Sequence, residues 1–139
     1  MTLAELLDGH SVFIDADIFI YHFGRHSPQC KAFLERCARR ELLGYTSTPV
    51  LAEVLHRLMV AEAIMKGLVT AKTAVRKLGE TPDLVKQLTQ YQDDVNKIPQ
   101  MNITVLALTS EIVQTSAAIL RNMKKSALFF TNLRTTLTN

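Results

Sequence analysis

No apolar run in this chain approaches the roughly 20 residues that a membrane-spanning helix needs, which argues against a helical membrane protein. The N-terminus lacks a basic stretch followed by an apolar core, so no secretory signal is expected and a cytoplasmic location is the default. There is no Gly-rich phosphate loop, no Cys-x-x-Cys pair, no Ser-His-Asp arrangement and no sustained heptad. Those absences set aside P-loop enzymes, dithiol redox proteins, triad hydrolases and coiled coils. Cysteine is scarce: Cys30 and Cys37 lie seven apart on an expected helix, on one face but about 10 Å apart along its axis. That is beyond disulfide reach, so two core thiols in a reducing compartment are expected. Acidic residues are missing after Glu111, whereas Arg121, Lys124, Lys125 and Arg134 follow it. A positive C-terminal segment suits a polyanion such as RNA, and a solvated helix end with cations favoured by its dipole explains it equally well.

What is present is enough for one domain. The 139 residues can bury about two-thirds of their unfolded surface, and 47% hydrophobic against 21% charged residues is the balance of a globular chain. After a short leading segment (Thr2 to His10), Val12–Ile14 reads as a strand buried on both faces. Ser27-Pro28 supplies a cap and a proline at the first helical position. Cys30, Phe33, Leu34, Cys37 and Ala38 then keep helical spacing. Leu43–Ser47 is a second strand, with Gly44 as its weak point. Thr48-Pro49 opens a helix with Leu51, Val54, Leu55, Leu58 and Met59 on one face, continuing to about Lys66 and stopped by Gly67. Thr70–Leu78 reads as a shorter helix closed by Gly79. Pro82-Asp83 opens another, striped by Leu84, Leu88, Tyr91 and Val95 and ending before Pro99. Ile103–Leu108 is a third strand, and Ser110 caps a helix on Ile112, Val113, Ser116, Ala117, Ile119, Leu120 and Met123. Alternating strands and helices predict an α/β domain with a central, mainly parallel sheet covered on both faces.

The chemistry concentrates in carboxylates. Asp15 ends the first strand, Asp17 follows two residues on, and Glu53 lies about one turn into the helix after the second strand. Open α/β sheets bind ligands outside the carboxyl ends of their strands, near a reversal of strand order, which suits Asp15 if Val12–Ile14 is central. Two such acids can share a hydrated magnesium ion, which needs only one or two protein carboxylates. Brought close without an ion they repel, so an empty site is expected to be electrostatically strained. The alternative for an Asp after a strand is a turn or helix cap.

Phe13-Ile-Asp15-Ala-Asp17-Ile-Phe-Ile-Tyr21, with Ser47-Thr48-Pro49-Val-Leu-Ala-Glu53-Val-Leu55, resembles the PIN domain. Within that family the likeness is greatest to the small toxins of VapBC-type toxin–antitoxin pairs, and it covers roughly Val12 to Lys125. The resemblance implies a three-layer α/β/α fold and an endoribonuclease dependent on Mg2+ or Mn2+. It implies metal ligation by Asp15 and Glu53, a supporting role for Asp17 where the family more often has Asn, and orientation of the first carboxylate by Ser47 and Thr48. It also implies an RNA substrate, an antitoxin protein seated along the groove at the metal edge, and a homodimer. The apolar faces of the helices between Pro49 and Pro99 exceed what one small sheet needs, which points the same way.

The third family acid is not found. Leu128-Phe129-Phe130-Thr131-Asn132-Leu133 places Leu133 where the family has Asp, and the pattern thins after about residue 125. The single PIN-like domain spanning 1–139 is therefore expected to be truncated or frame-shifted, with weak or lost hydrolysis. A catalytically inactive relic acting only through dimer or antitoxin contacts is the alternative. Haloacid-dehalogenase-like phosphatases also start from a strand and Asp-x-Asp, but Ile18 and Phe19 stand where their turn-forming residues belong. His22, His26 and Cys30 recur every four residues, like zinc ligands, with Pro28 interrupting any shared helix face. His22 and His26 read better as loop histidines, and His56 as a surface residue on the helix carrying Glu53. Arg36, Arg39 and Arg40 form a basic helix edge open to solvent, RNA or a partner.

Overall fold

The computed structural model describes residues 2–111 and Gln114. Three short strands, β1 (Ser11–Phe13), β2 (Leu43–Ser47) and β3 (Thr104–Leu106), form one parallel sheet in the order β1-β2-β3. Helices α1 (Ala16–Phe23) and α2 (Pro28–Ala38) connect β1 to β2. Helices α3 (Thr48–Met65), α4 (Ala74–Glu80), α5 (Pro82–Val85) and α6 (Gln90–Lys97) connect β2 to β3. Both connections step in the same direction, and right-handed crossovers of that kind put their helices on one face of the sheet. The packing of α1 against α3 accords with this. Among the described strands β2 is central and the order does not reverse, so the expectation that β1 is the central strand at a switch point is not met.

Successive strand residues face opposite ways. Val12, Gly44, Thr46 and Val105 share the helix side, where Val12, Gly44 and Thr46 are buried. Phe13, Tyr45, Ser47 and Leu106 share the other, where Phe13 and Tyr45 are half-buried and Leu106 is exposed. The first strand is thus buried on one face rather than two. Gly44 is not a weak point. A Cβ there would lie 3.1 Å from Ile14 Cδ1 and 3.2 Å from both Cys37 Sγ and Ile103 Cγ1. The missing side chain lets α2 close onto the sheet.

Helix α2 follows its local signals. Ser27 Oγ accepts the Cys30 N–H at 3.2 Å, Pro28 takes the first position, and Cys30, Phe33, Leu34 and Cys37 are buried. Both cysteines are free thiols, and burial pushes the Cys37 thiol up to about 11. The basic edge of this helix is tied down from within. Arg36 donates to the Leu6 carbonyl at 2.6 Å and to Asp8 at 2.7 Å, clasping the leading segment. Arg39 donates to Glu41 at 2.7 Å, and Arg40 to Asn102 at 3.4 Å.

The helical arm, formed by the end of α3 with α4, α5 and α6, departs from its sequence pattern at two places. Thr70 and Thr73 hydroxyls bond each other at 2.8 Å, and Thr73 Oγ1 accepts the Thr70 N–H. This local turn delays α4 to Ala74, and Gly79 falls inside the helix. The expected long helix from Pro82 is broken into α5 and α6. The break is explained by Glu62 of α3, which is buried and accepts the N–H groups of Thr89, Gln90 and Tyr91 at 3.1, 3.3 and 2.9 Å. A carboxylate at a helix N-terminus satisfies orphan donors and meets the positive end of the dipole. Lys66 Nζ donates to the same carboxylate at 2.8 Å. Ser110 and Glu111 are helical; the remainder of the helix expected there, the candidate strand Leu128–Thr131 and Leu133 lie outside the described residues.

Candidate functional site

The carboxyl edge of the sheet is where the acids were expected, and three tethers shape it. Thr46 Oγ1 donates to the Ile14 carbonyl at 3.0 Å, pinning the end of β1 to β2 immediately before Asp15. Ile14 N–H donates to the Tyr45 carbonyl at 2.7 Å. Thr48 Oγ1 accepts the Leu108 N–H at 3.4 Å, joining the start of α3 to the chain beyond β3. Thr48 therefore takes part in ordering this edge, whereas Ser47, though buried at the N-cap of α3, makes no capping bond with its side chain. The hydroxyl that fixes the backbone before the first acid is Thr46.

Asp15 is half-buried and serves as N-cap of α1. Its backbone is extended (φ −82°, ψ 165°), and its Oδ1 accepts the Ala16 N–H at 2.8 Å. The capping role holds the carboxylate at the strand end and is compatible with a second function. Asp17 sits in the first turn of α1, and Ile18 and Phe19 after it are buried. This is a helix packing inward, not the sharp turn a dehalogenase-like phosphatase would need.

Glu53 lies on the exposed side of α3, with its side chain 52% accessible. Between it and Asp17 stands a residue that the motif reading passed over. Arg57 Nη1 lies 2.8 Å from Asp17 Oδ1 and 3.8 Å from Glu53 Oε1. The first turn of α1 and the exposed face of α3 thus meet across one guanidinium. The acidic edge, expected to be strained by like charges, carries its own cation. A signal was present in the sequence, since Glu53 and Arg57 are spaced four apart on a helix, the separation at which opposite charges pair.

No family model, curated protein or solved structure matches the chain. Among the described residues no group of three or more His, Cys, Asp or Glu side chains is placed to hold a metal ion. A largely hydrated magnesium ion needs only one or two protein carboxylates, whereas an all-protein cage needs more. Arg57 shows that carboxylates of α1 and α3 share one cationic side chain across the gap.

The histidines stand apart from this edge. His22 is in the last turn of α1 rather than in a loop, and its ring meets Phe23 edge-on with centroids 4.9 Å apart. Its Nδ1 is buried without a hydrogen-bond partner among the described residues. Burial, helped by nearby Lys31, holds its pKa below the ordinary value, so it is neutral at pH 7. His26 follows α1, and Cys30 is buried in α2, so the apparent every-four spacing does not build a zinc site. No described helix is long and apolar enough to cross a membrane.

Proposed function

We propose that this chain is a PIN-type domain derived from a divalent-metal-dependent endoribonuclease of toxin–antitoxin type, with Asp15 and Glu53 as the metal ligands. The observation that carries this reading is the meeting of α1 and α3 at the carboxyl edge of the parallel sheet. Asp15 caps one helix there, and Asp17 and Glu53 share Arg57 across the gap. In the full proposal the fold is three-layered, with helices covering both faces of the sheet.

In this reading Asp15 holds its carboxylate in a fixed direction because its own helix cap leaves it little freedom. Glu53, more exposed and on a long flexible side chain, adjusts to the ligand. Thr46 and Thr48 keep the strand ends and α3 in register beneath them. A Mg2+ or Mn2+ ion held there would supply a water of lowered pKa and neutralise charge on an RNA phosphodiester. The remaining partners we propose are an antitoxin segment at this edge and a second copy of the chain, in a cytoplasmic setting. The relic reading, in which only partner contacts survive, is favoured by one feature, Leu133 where a third acid would stand.

Manganese calorimetry tests the assignment. Asp15→Asn and Glu53→Gln should each weaken binding several-fold or more while leaving thermal unfolding nearly unchanged. Equal affinity in wild type and Asp15→Asn would remove the metal site. RNA cleavage by the wild type, abolished by Asp15→Asn, would decide against the relic.

A further inference from the structure

We propose that Arg57 is a built-in competitor for the metal, an inference that rests on the metal-site reading above. Its guanidinium pairs with Asp17 at 2.8 Å and lies 3.8 Å from Glu53, so the arginine and a divalent ion draw on the same Glu53 carboxylate. An ion beside Glu53 brings two positive charges within a few ångströms of a third, and that repulsion vanishes only when the arginine swings out.

The arginine is placed to swing. Its side chain is 47% accessible, so its head can move into water without a large desolvation cost. Asp17 is the less exposed partner at 21%, and it anchors the guanidinium by the shorter contact. Glu53 is the more exposed and the more loosely held. The arrangement therefore offsets part of the negative charge of the acidic edge when no metal is present and sets a threshold for metal uptake. Arg57 makes no demand on the sheet, so the threshold can be changed without changing the fold. Once displaced, the arginine remains a planar donor beside the metal edge.

The experiment is a Mn2+ titration read by the electron paramagnetic resonance of free manganese, a readout independent of RNA cleavage. It compares wild type, Arg57→Gln, Arg57→Lys, Asp15→Asn and the double variant Arg57→Gln/Asp15→Asn, each first shown to be folded by circular dichroism. Removing two part-exposed ion pairs should tighten Mn2+ binding about tenfold in Arg57→Gln, while Arg57→Lys, which keeps the charge, should stay within about threefold of wild type. Adding Asp15→Asn to Arg57→Gln should abolish the gain. Equal affinity in wild type and Arg57→Gln, with Asp15→Asn still weakening both, would overturn the competitor role and leave the metal site standing. Absence of Mn2+ binding in both wild type and Arg57→Gln would overturn the site itself, and this inference with it.

Discussion

At the scale of single residues, Glu62 is the most consequential side chain outside the acidic edge. Its side chain is only 9% accessible and meets Lys66 and three backbone N–H groups. Burial alone would raise its pKa, but Lys66 and the N–H donors of Tyr91, Thr89 and Gln90 outweigh it and hold the carboxyl below its ordinary value. A carboxyl lowered in this way binds protons less readily when folded than when unfolded. The ionised group therefore stabilises the fold above the unperturbed glutamate value of about 4.3, and that contribution is lost as pH falls through the lower folded value. Glu62→Ala leaves the buried Tyr91 N–H and the part-buried Thr89 and Gln90 N–H groups without this acceptor and should cost about 2–4 kcal/mol in urea unfolding at pH 7. Glu62→Gln, which keeps one acceptor, should cost less. The gap between wild type and either variant should close as the measurement moves below pH 4. A gap constant from pH 7 to pH 3 would show that the charge contributes nothing.

At the scale of elements, legibility followed locality. Helix α2 was readable because Ser27, Pro28 and its apolar stripe all lie within the helix or next to it. β2 was readable for the same reason, with its ends at Leu43 and Ser47. The start of α6 was not, because its cap comes from Glu62 on another helix, and no window around Thr89 contains that information. The two acids Asp15 and Glu53 were legible as strand-end and helix residues. Arg57, which links Glu53 to Asp17, was not, since its salt bridge to α1 spans elements. Gly44 makes the same point within a strand. An alanine there usually helps a strand, but here its Cβ would press on Ile14, Cys37 and Ile103. Gly44→Ala should therefore destabilise by about 1–3 kcal/mol, read as a lower urea midpoint with an unchanged slope. The double variant with Cys37→Ala should recover part of the loss, and no recovery would place the clash elsewhere.

At the scale of the whole molecule, the proposed dimer has a surface to use. Met65 at the end of α3 is 88% accessible and Val75 on α4 is 66%, both on the arm rather than on the sheet. If the arm pairs with a second copy, the wild type should sediment as a dimer in the micromolar range, and Met65→Lys with Val75→Lys should shift it to monomer. A wild type that remains monomeric at high concentration would count against the arm as an interface.

Helix α3 spans 18 residues, a rod roughly 27 Å long. Its start is rooted at the close of β2, Glu53 and Arg57 lie along its middle, and Glu62 near its far end holds the start of α6. A rod of this length has little give along its axis. Val54, Leu58 and Ala63 are buried along it, so the seat of the acidic edge and the seat of the arm belong to one packed element. A displacement at the arm therefore reaches Glu53 and Arg57 along a single helix, with no step through the sheet.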